Sequence, residues 1–400
     1  MFEQTKMDLE DTFVEDKFDN SEPYNEQEED IDQLNKLDLS EMAITGTDWT
    51  AETIVNQINK GNILLSPYFQ RRDAWNVKIK SRFIESLFLG LPIPQIILAE
   101  RKEKKGSYIV IDGKQRLLSL QQFVEGDESG RKLKLTGLEV KTNFNKMTYD
   151  DIQNSEFCDE IDAFNNQTIR TVVIKNWPTE KVLYLLFLRL NTGSVKLSPQ
   201  ELRQALYPGP FIDFVNNESE KCPELYQMLD LKRPDFRMRD VEILIRFFSF
   251  SLFAKNYSGS MQQFLDTCCD VLNKSWSSKS EDVKNIFSQF VLAIRATIEI
   301  FGDDAFHKFK TQKYESKMNR AIMDIMLYYF ASPDIRIKAL ENKRGIKLAF
   351  ENLCTESVDF VNSIENTTKS MQSVTERFNS WADALSKVLH MPIQSPYRKA

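Results

Sequence analysis

The chain has 400 residues, of which 42% are hydrophobic and 28% charged, and its formal net charge is −7. That length exceeds an ordinary single domain and leaves room for two cores. Its longest apolar runs, Val182 to Leu190 and Ile243 to Ala254, are interrupted by Arg189 and Arg246 and fall short of the ~20 residues needed to cross a bilayer.

Composition narrows the chemistry further. Five cysteines (Cys158, Cys222, Cys268, Cys269, Cys354) include no C-x-x-C pair, and His307 and His390 are the only histidines. A disulfide framework, a zinc knuckle and a Ser/His/Asp triad therefore lack raw material. The opening Met1-Phe2-Glu3-Gln4 has no signal-peptide pattern. The expectation is a cytoplasmic protein that does not enter a membrane.

Charge is unevenly placed. Residues 1–40 hold 14 acidic against three basic side chains, and the other 360 hold 49 basic against 45 acidic. Residues 1–42 are read as a disordered acidic tail, which either solubilises the chain or folds back to compete with polyanions. Residues 61–124 are more basic still, with 11 Lys/Arg and five Asp/Glu.

From there the hydrophobic periodicity predicts a mixed domain over residues 43–218. Its helices are 51–59, 77–88 and 114–125, and its strands are 62–66, 94–100, 108–112 and 168–175. Residues 125–134 and 138–166 read as polar connections with a short helix at best. Beyond Pro178 strand signals vanish, and apolar positions recur at helical spacing in 240–253, 261–272, 283–300, 316–330, 335–352 and 374–389. The fold class is α+β, with an all-α C-terminal domain over 219–400.

The most informative stretch is Tyr108 to Leu120, YIVIDGKQRLLSL. An apolar run stops at Asp112-Gly113, and a cationic segment with helical spacing begins at once. Asp-Gly is also the commonest hairpin signal, but Leu117, Leu120, Gln121 and Val124 recur at helical intervals, where a second strand would alternate. A strand turning into a helix start presents unpaired N–H groups and the positive end of the helix dipole to an anion. Lys114 and Arg116 stand beside that position, and Asp112 either places a water or a metal there or caps the helix.

Two further segments carry candidates. In ILLSPYFQRRDAW, Gln70-Arg71 follow a strand, and Arg71 has the fork geometry to clamp a phosphate or carboxylate. In LRLNTGSVKLSPQELRQA, Ser198, Pro199 and Glu201 form a capping box at a helix start. Asn191 is either helix-end punctuation or a site residue, and Arg203 has no local explanation.

Taken in this order and spacing, PYFQRRDAW, FIESLFLGLPIPQIIL, VIDGKQRLLSLQQF and LRLNTGSVKLSPQELRQA resemble the N-terminal domain family of the GmrSD type IV restriction enzymes, over roughly residues 45–215. The resemblance implies a fold similar to ParB and sulfiredoxin. It also implies a nucleotide site around a D-G-Q-Q-R motif, with NTP hydrolysis in members that drive modification-dependent DNA restriction. Carried over, the motif falls on Asp112, Gly113, Lys114, Gln115 and Arg116, with Gln70 and Arg71 upstream and Asn191 and Glu201 downstream. Asp112 and Gln115 are the implied catalytic residues, and Asp112 is the implied Mg²⁺ ligand. Gln70, Arg71, Gly113, Lys114, Arg116 and Asn191 are the implied nucleotide contacts.

Lys114 departs from the pattern, where a Gln usually stands, and adds a cation for phosphate. A second departure is larger, because an HNH nuclease needs clustered histidines and residues 220–400 hold only His307 and His390. The expected function is an NTP-binding and NTP-hydrolysing regulatory or sensor module of a restriction-like or anti-phage system. The alternative is a ParB-like DNA-binding protein, or a scaffold that recruits a separately encoded nuclease.

Overall fold

The computed structural model describes residues 42–65, 74–127, 129–179, 182–183, 186, 198–235 and 237–398. They fall into two compact units. One comprises the chain up to Pro208 together with Pro234–Arg239, and the other comprises Gly209–Arg233 and the chain from Asp240 on.

The first unit is built on a four-stranded sheet of β1 (Ala43–Thr50), β2 (Ile96–Glu100), β3 (Tyr108–Asp112) and β4 (Thr168–Lys175) in the order β1-β4-β2-β3. β4 runs parallel to β2, while β1/β4 and β2/β3 are antiparallel. The strands alternate between two apolar faces. Ile96, Leu98, Val110 and Ile169 point into one core with helices α1 (Ala51–Asn59), α2 (Val77–Phe88) and α3 (Lys114–Val124). Ile97, Ala99, Ile109, Ile111 and Ile174 point into a second core with Trp177, Leu183 and Leu202. Burial on both faces explains why β2 and β3 read as continuous apolar runs.

Helix starts follow the local chemistry. Asn76 caps α2 through a hydrogen bond from Ile79 N–H at 2.9 Å, and Thr50 caps α1 through Thr53 N–H at 3.1 Å. Phe88, at the end of α2, lies 5.0 to 6.0 Å from the rings of Phe123, Phe144 and Phe164. Each such pair adds about 0.5–1.5 kcal/mol beyond burial.

Several sequence expectations are corrected here. Ala43–Thr50 is a strand that was not anticipated; it is mostly exposed and pairs along its whole length with β4. The expected strand at 62–66 reduces to one parallel bridge between Ile63 and Tyr108. The stretch read as a polar connection holds α4 (Tyr149–Gln153) and α5 (Cys158–Asn166), whose Tyr149, Ile152, Ile161 and Phe164 are core residues. The acidic residues in those helices face solvent and masked the apolar spacing.

The second unit is mainly helical: α7 (Pro210–Lys221), α8 (Pro223–Leu229), α9 (Arg239–Phe253), α10 (Met261–Lys274), α11 (Trp276–Phe301), α12 (Arg320–Phe330), α13 (Pro333–Glu341), α14 (Lys343–Glu356), α15 (Val358–Glu365) and α16 (Met371–Leu389), with α6 (Pro199–Leu206) belonging to the first unit. It is not all-α. A hairpin of β5 (His307–Lys310) and β6 (Lys313–Met318) precedes α12 and takes the place of the first residues of the helix expected at 316–330. The helix expected at 335–352 is two helices, because Asn342 ends α13 and its side chain caps α14 through Gly345 N–H at 3.2 Å. Buried within this unit, Asp324 accepts two hydrogen bonds from Arg246, at 3.0 and 2.6 Å, and one from Arg377 at 3.1 Å. Among the described residues no helix is long and apolar enough to cross a membrane.

Candidate functional site

β3 ends at Asp112, and α3 begins two residues later. Gly113 makes the reversal at φ 99°, ψ 12°, a conformation that L side chains rarely adopt. A Cβ there would stand 3.1 Å from Ile96 Cγ1 and 3.2 Å from Arg116 Nη2. Glycine is thus required by both the dihedral and the closeness of the Arg116 guanidinium. Because Gly113 is the N-cap residue, no side chain caps α3. The first backbone bond that closes the helix runs from Leu117 N–H to Gly113 O at 3.0 Å.

Arg116 reaches back over this turn. Its Nη2 donates to Asp112 Oδ2 at 2.9 Å and to the Gln95 carbonyl at 3.1 Å. Its Nε is buried and has no hydrogen-bond partner among the described residues. Asp112 is therefore engaged by Arg116 and is not the helix cap, which decides one of the alternatives left open by the sequence. Its side chain keeps 27% of its surface exposed, while that of Arg116 keeps 13%.

The next two residues anchor the rest of the unit. Lys114 is buried, and its Nζ is hydrogen-bonded to Glu201 Oε1 in an ion pair whose side chains are 3% and 5% exposed. Glu201 also completes the expected capping box: its Oε2 accepts from Ser198 N–H at 2.6 Å, and Ser198 Oγ accepts from Glu201 N–H at 3.2 Å. Gln115 is buried, and its Oε1 accepts from Trp75 N–H at 3.3 Å. Trp75 in turn packs edge-on against Phe83 at 5.8 Å.

Five of the sequence candidates, Asp112 to Arg116, thus share one strand-to-helix turn. Gln70, Arg71 and Asn191 lie outside the described residues. The chain on either side of Gln70 and Arg71 is held at Leu64, whose N–H bonds Tyr108 O at 3.1 Å, and at Trp75. Arg203 is buried, with Nη1 donating to Gln200 Oε1 at 2.7 Å. One contributor was invisible in the sequence, the Gln95 carbonyl under Arg116, and Glu201, expected from its capping box and its place in the motif, is also the partner of Lys114. A buried lysine demands an acid, but no local pattern names one 87 residues away.

Residues 51–208 match the family described as the N-terminal domain of the GmrSD restriction endonuclease. This segment is similar to the GmrSD-type N-terminal domain. No curated protein matches the chain. The matched segment begins with α1 and ends at Pro208, where the main segment of the first unit ends, and so contains the whole Asp112–Arg116 turn and the Ser198–Glu201 cap.

Proposed function

We propose that the GmrSD-type domain binds a nucleoside triphosphate with Mg²⁺ at the Asp112–Arg116 turn and hydrolyses it, as the nucleotide-responsive regulatory or sensor part of a defence system. The observation that carries this reading is the buried Arg116 Nε–H, which lies against Gly113 at an uncapped helix end and has no acceptor among the described residues. A buried donor left unpaired costs about 1–3 kcal/mol. A phosphate oxygen at the helix end supplies the acceptor and is favoured there by the dipole and the free first-turn N–H groups.

The charges refine the picture. Lys114 and Arg116 are matched by Glu201 and Asp112, so the turn attracts an anion through its dipole and its orphan donor, not through excess charge. The sequence offers Arg71, which lies outside the described residues, as a further cation. The Asp112 carboxylate is a hard oxygen ligand, and Mg²⁺ is commonly held by one or two carboxylates plus phosphate oxygens. When bound, the ion neutralises phosphate oxygens. Asp112 holds the ion's side of the site, Arg116 holds the phosphate's side, and Gln115 holds Trp75 through its backbone N–H.

The test is a panel of ATP, GTP, CTP and UTP, with and without Mg²⁺, measured by calorimetry and phosphate release. Arg116→Lys keeps a cation but lacks Nε–H and loses about 10- to 100-fold in affinity, the equivalent of a charge-assisted hydrogen bond. Asp112→Asn loses Mg²⁺-dependent turnover. Absence of binding for all four nucleotides by the wild-type chain would refute the proposal.

One feature of the second unit favours DNA contact as a further reading. Lys310 and Lys313 face each other across the β5–β6 hairpin, and Lys313 and Lys317 are exposed with no ion pair among the described residues. Glu365 answers Lys310 at 3.1 Å, so Lys313 and Lys317 are the cations left for a phosphate backbone to contact. DNA affinity that falls steeply with salt, and falls further in Lys313→Glu/Lys317→Glu, supports this reading. Affinity that ignores both counts against it.

A further inference from the structure

We infer that Lys114 serves the site through Glu201 and does not touch the ligand, so that the pair positions the start of α3; this rests on the nucleotide reading above. The geometry is specific. α3 belongs to the core on one face of the sheet through Leu117, Leu120 and Phe123. α6 belongs to the core on the other face through Leu202. Lys114 is the first residue of α3 and Glu201 lies in the first turn of α6, so their ion pair ties the two helical layers together at the carboxyl end of β3. The carboxylate divides its oxygens, giving Oε1 to Lys114 and Oε2 to Ser198 N–H.

Burial decides what Lys114 can do. Two charges this far out of water are tolerated because each answers the other and the remaining lone pairs are hydrogen-bonded. With its side chain 3% exposed beside Glu201, Lys114 could meet a phosphate at the exposed edge of the turn only by drawing its Nζ away from that carboxylate, which weakens the counter-charge of a buried acid. The exposed edge of the turn is left to Arg116 and Asp112, which are also the residues with surface to offer. Lys114 holds the helix start in place, and with it the direction of the first-turn N–H groups and the base of the Arg116 side chain.

Three variants of the full chain separate this role from phosphate binding: Lys114→Met, Glu201→Gln and the two combined. Gln at position 201 keeps the capping-box acceptor, so only the ion pair is removed. The probe is whichever of ATP, GTP, CTP or UTP the wild type binds with Mg²⁺, together with the melting temperature. Each single variant removes one half of the buried pair and is expected to lose about tenfold or more in affinity and to melt lower. The double variant is expected to regain affinity to within about threefold of wild type and to recover in melting temperature, the mark of coupled sites. A double variant that melts like wild type but binds as weakly as Lys114→Met overturns the inference, because Lys114 would then be touching the nucleotide. If Lys114→Met fails to fold, the double variant compared with Glu201→Gln decides in the same way. If the wild type binds none of the four nucleotides, the nucleotide reading falls, and the four melting temperatures still test the pair: recovery in the double variant supports it, and additive losses overturn it.

Discussion

Gly113 is where the backbone is most constrained, so Gly113→Ala tests the site most directly. Left-handed backbone costs a non-glycine residue about 1–2 kcal/mol. The added Cβ would also press on Ile96 Cγ1 at 3.1 Å and Arg116 Nη2 at 3.2 Å. Arg116 can shift, but Ile96 is a core residue with 1% exposure and little freedom to move. Together these effects amount to about 2–3 kcal/mol for this unit, in the range of strained positions that a fold must hold in place. The measurement is hydrogen exchange of the amides in residues 108–124, which localises the loss, combined with urea unfolding. Gly113→Asn separates the two causes, since Asn tolerates positive φ but carries the same Cβ, and it should fall between glycine and alanine. Nucleotide affinity should drop more than stability does, because the Cβ displaces the guanidinium that holds the orphan donor. An alanine variant with wild-type exchange and stability would falsify the left-handed turn and everything built on it.

Other expectations concern the supports of each unit. The Glu85 carboxylate accepts from Glu139 N–H at 3.1 Å and from Val140 and Lys141 N–H at 2.8 Å each. Burial pushes its pKa up, but those three N–H groups and the nearby Arg82 charge outweigh burial and hold it below the ordinary glutamate value. A depressed carboxyl stabilises the fold at pH above its unfolded value, and the contribution is lost as pH falls through the folded one. Glu85→Gln should therefore cost about 1.5–3 kcal/mol near neutrality and flatten the acid limb of a melting-temperature profile; an unchanged acid limb would contradict this. In the second unit, Arg246→Met leaves Asp324 with only Arg377 of its two described guanidinium partners and should cost about 3–5 kcal/mol. A loss below about 1 kcal/mol in chemical denaturation would show that the pair is dispensable.

The central elements were legible because their signals are local. The helices 51–59 and 77–88 and the strands 108–112 and 168–175 carry their periodicity and their bounding residues within a few positions, and the structure places them at those bounds. Ser198 and Glu201 announce a capping box in four residues, and it forms. The hairpin 307–318 was not legible. Its turn puts Thr311 and Gln312 at φ 49° and 63°, where Asn-Gly would be the usual sign, and its alternating lysines resemble a solvated helix face. Helices α4 and α5 were missed because their apolar residues are few and their acids many, although those few residues fill the core around Phe88.

What the sequence determined by itself was the strand-to-helix turn, since glycine, helical spacing and clustered cations are properties of neighbouring residues. What only the tertiary structure decided was how each charge at that turn is used. Lys114, two residues from Arg116, is buried against a carboxylate that arrives from 87 positions away, while Arg116 keeps an unpaired donor at the helix end. Two cations that look alike in the sequence differ in role because burial and counter-charge are set by which distant segments the sheet brings over them.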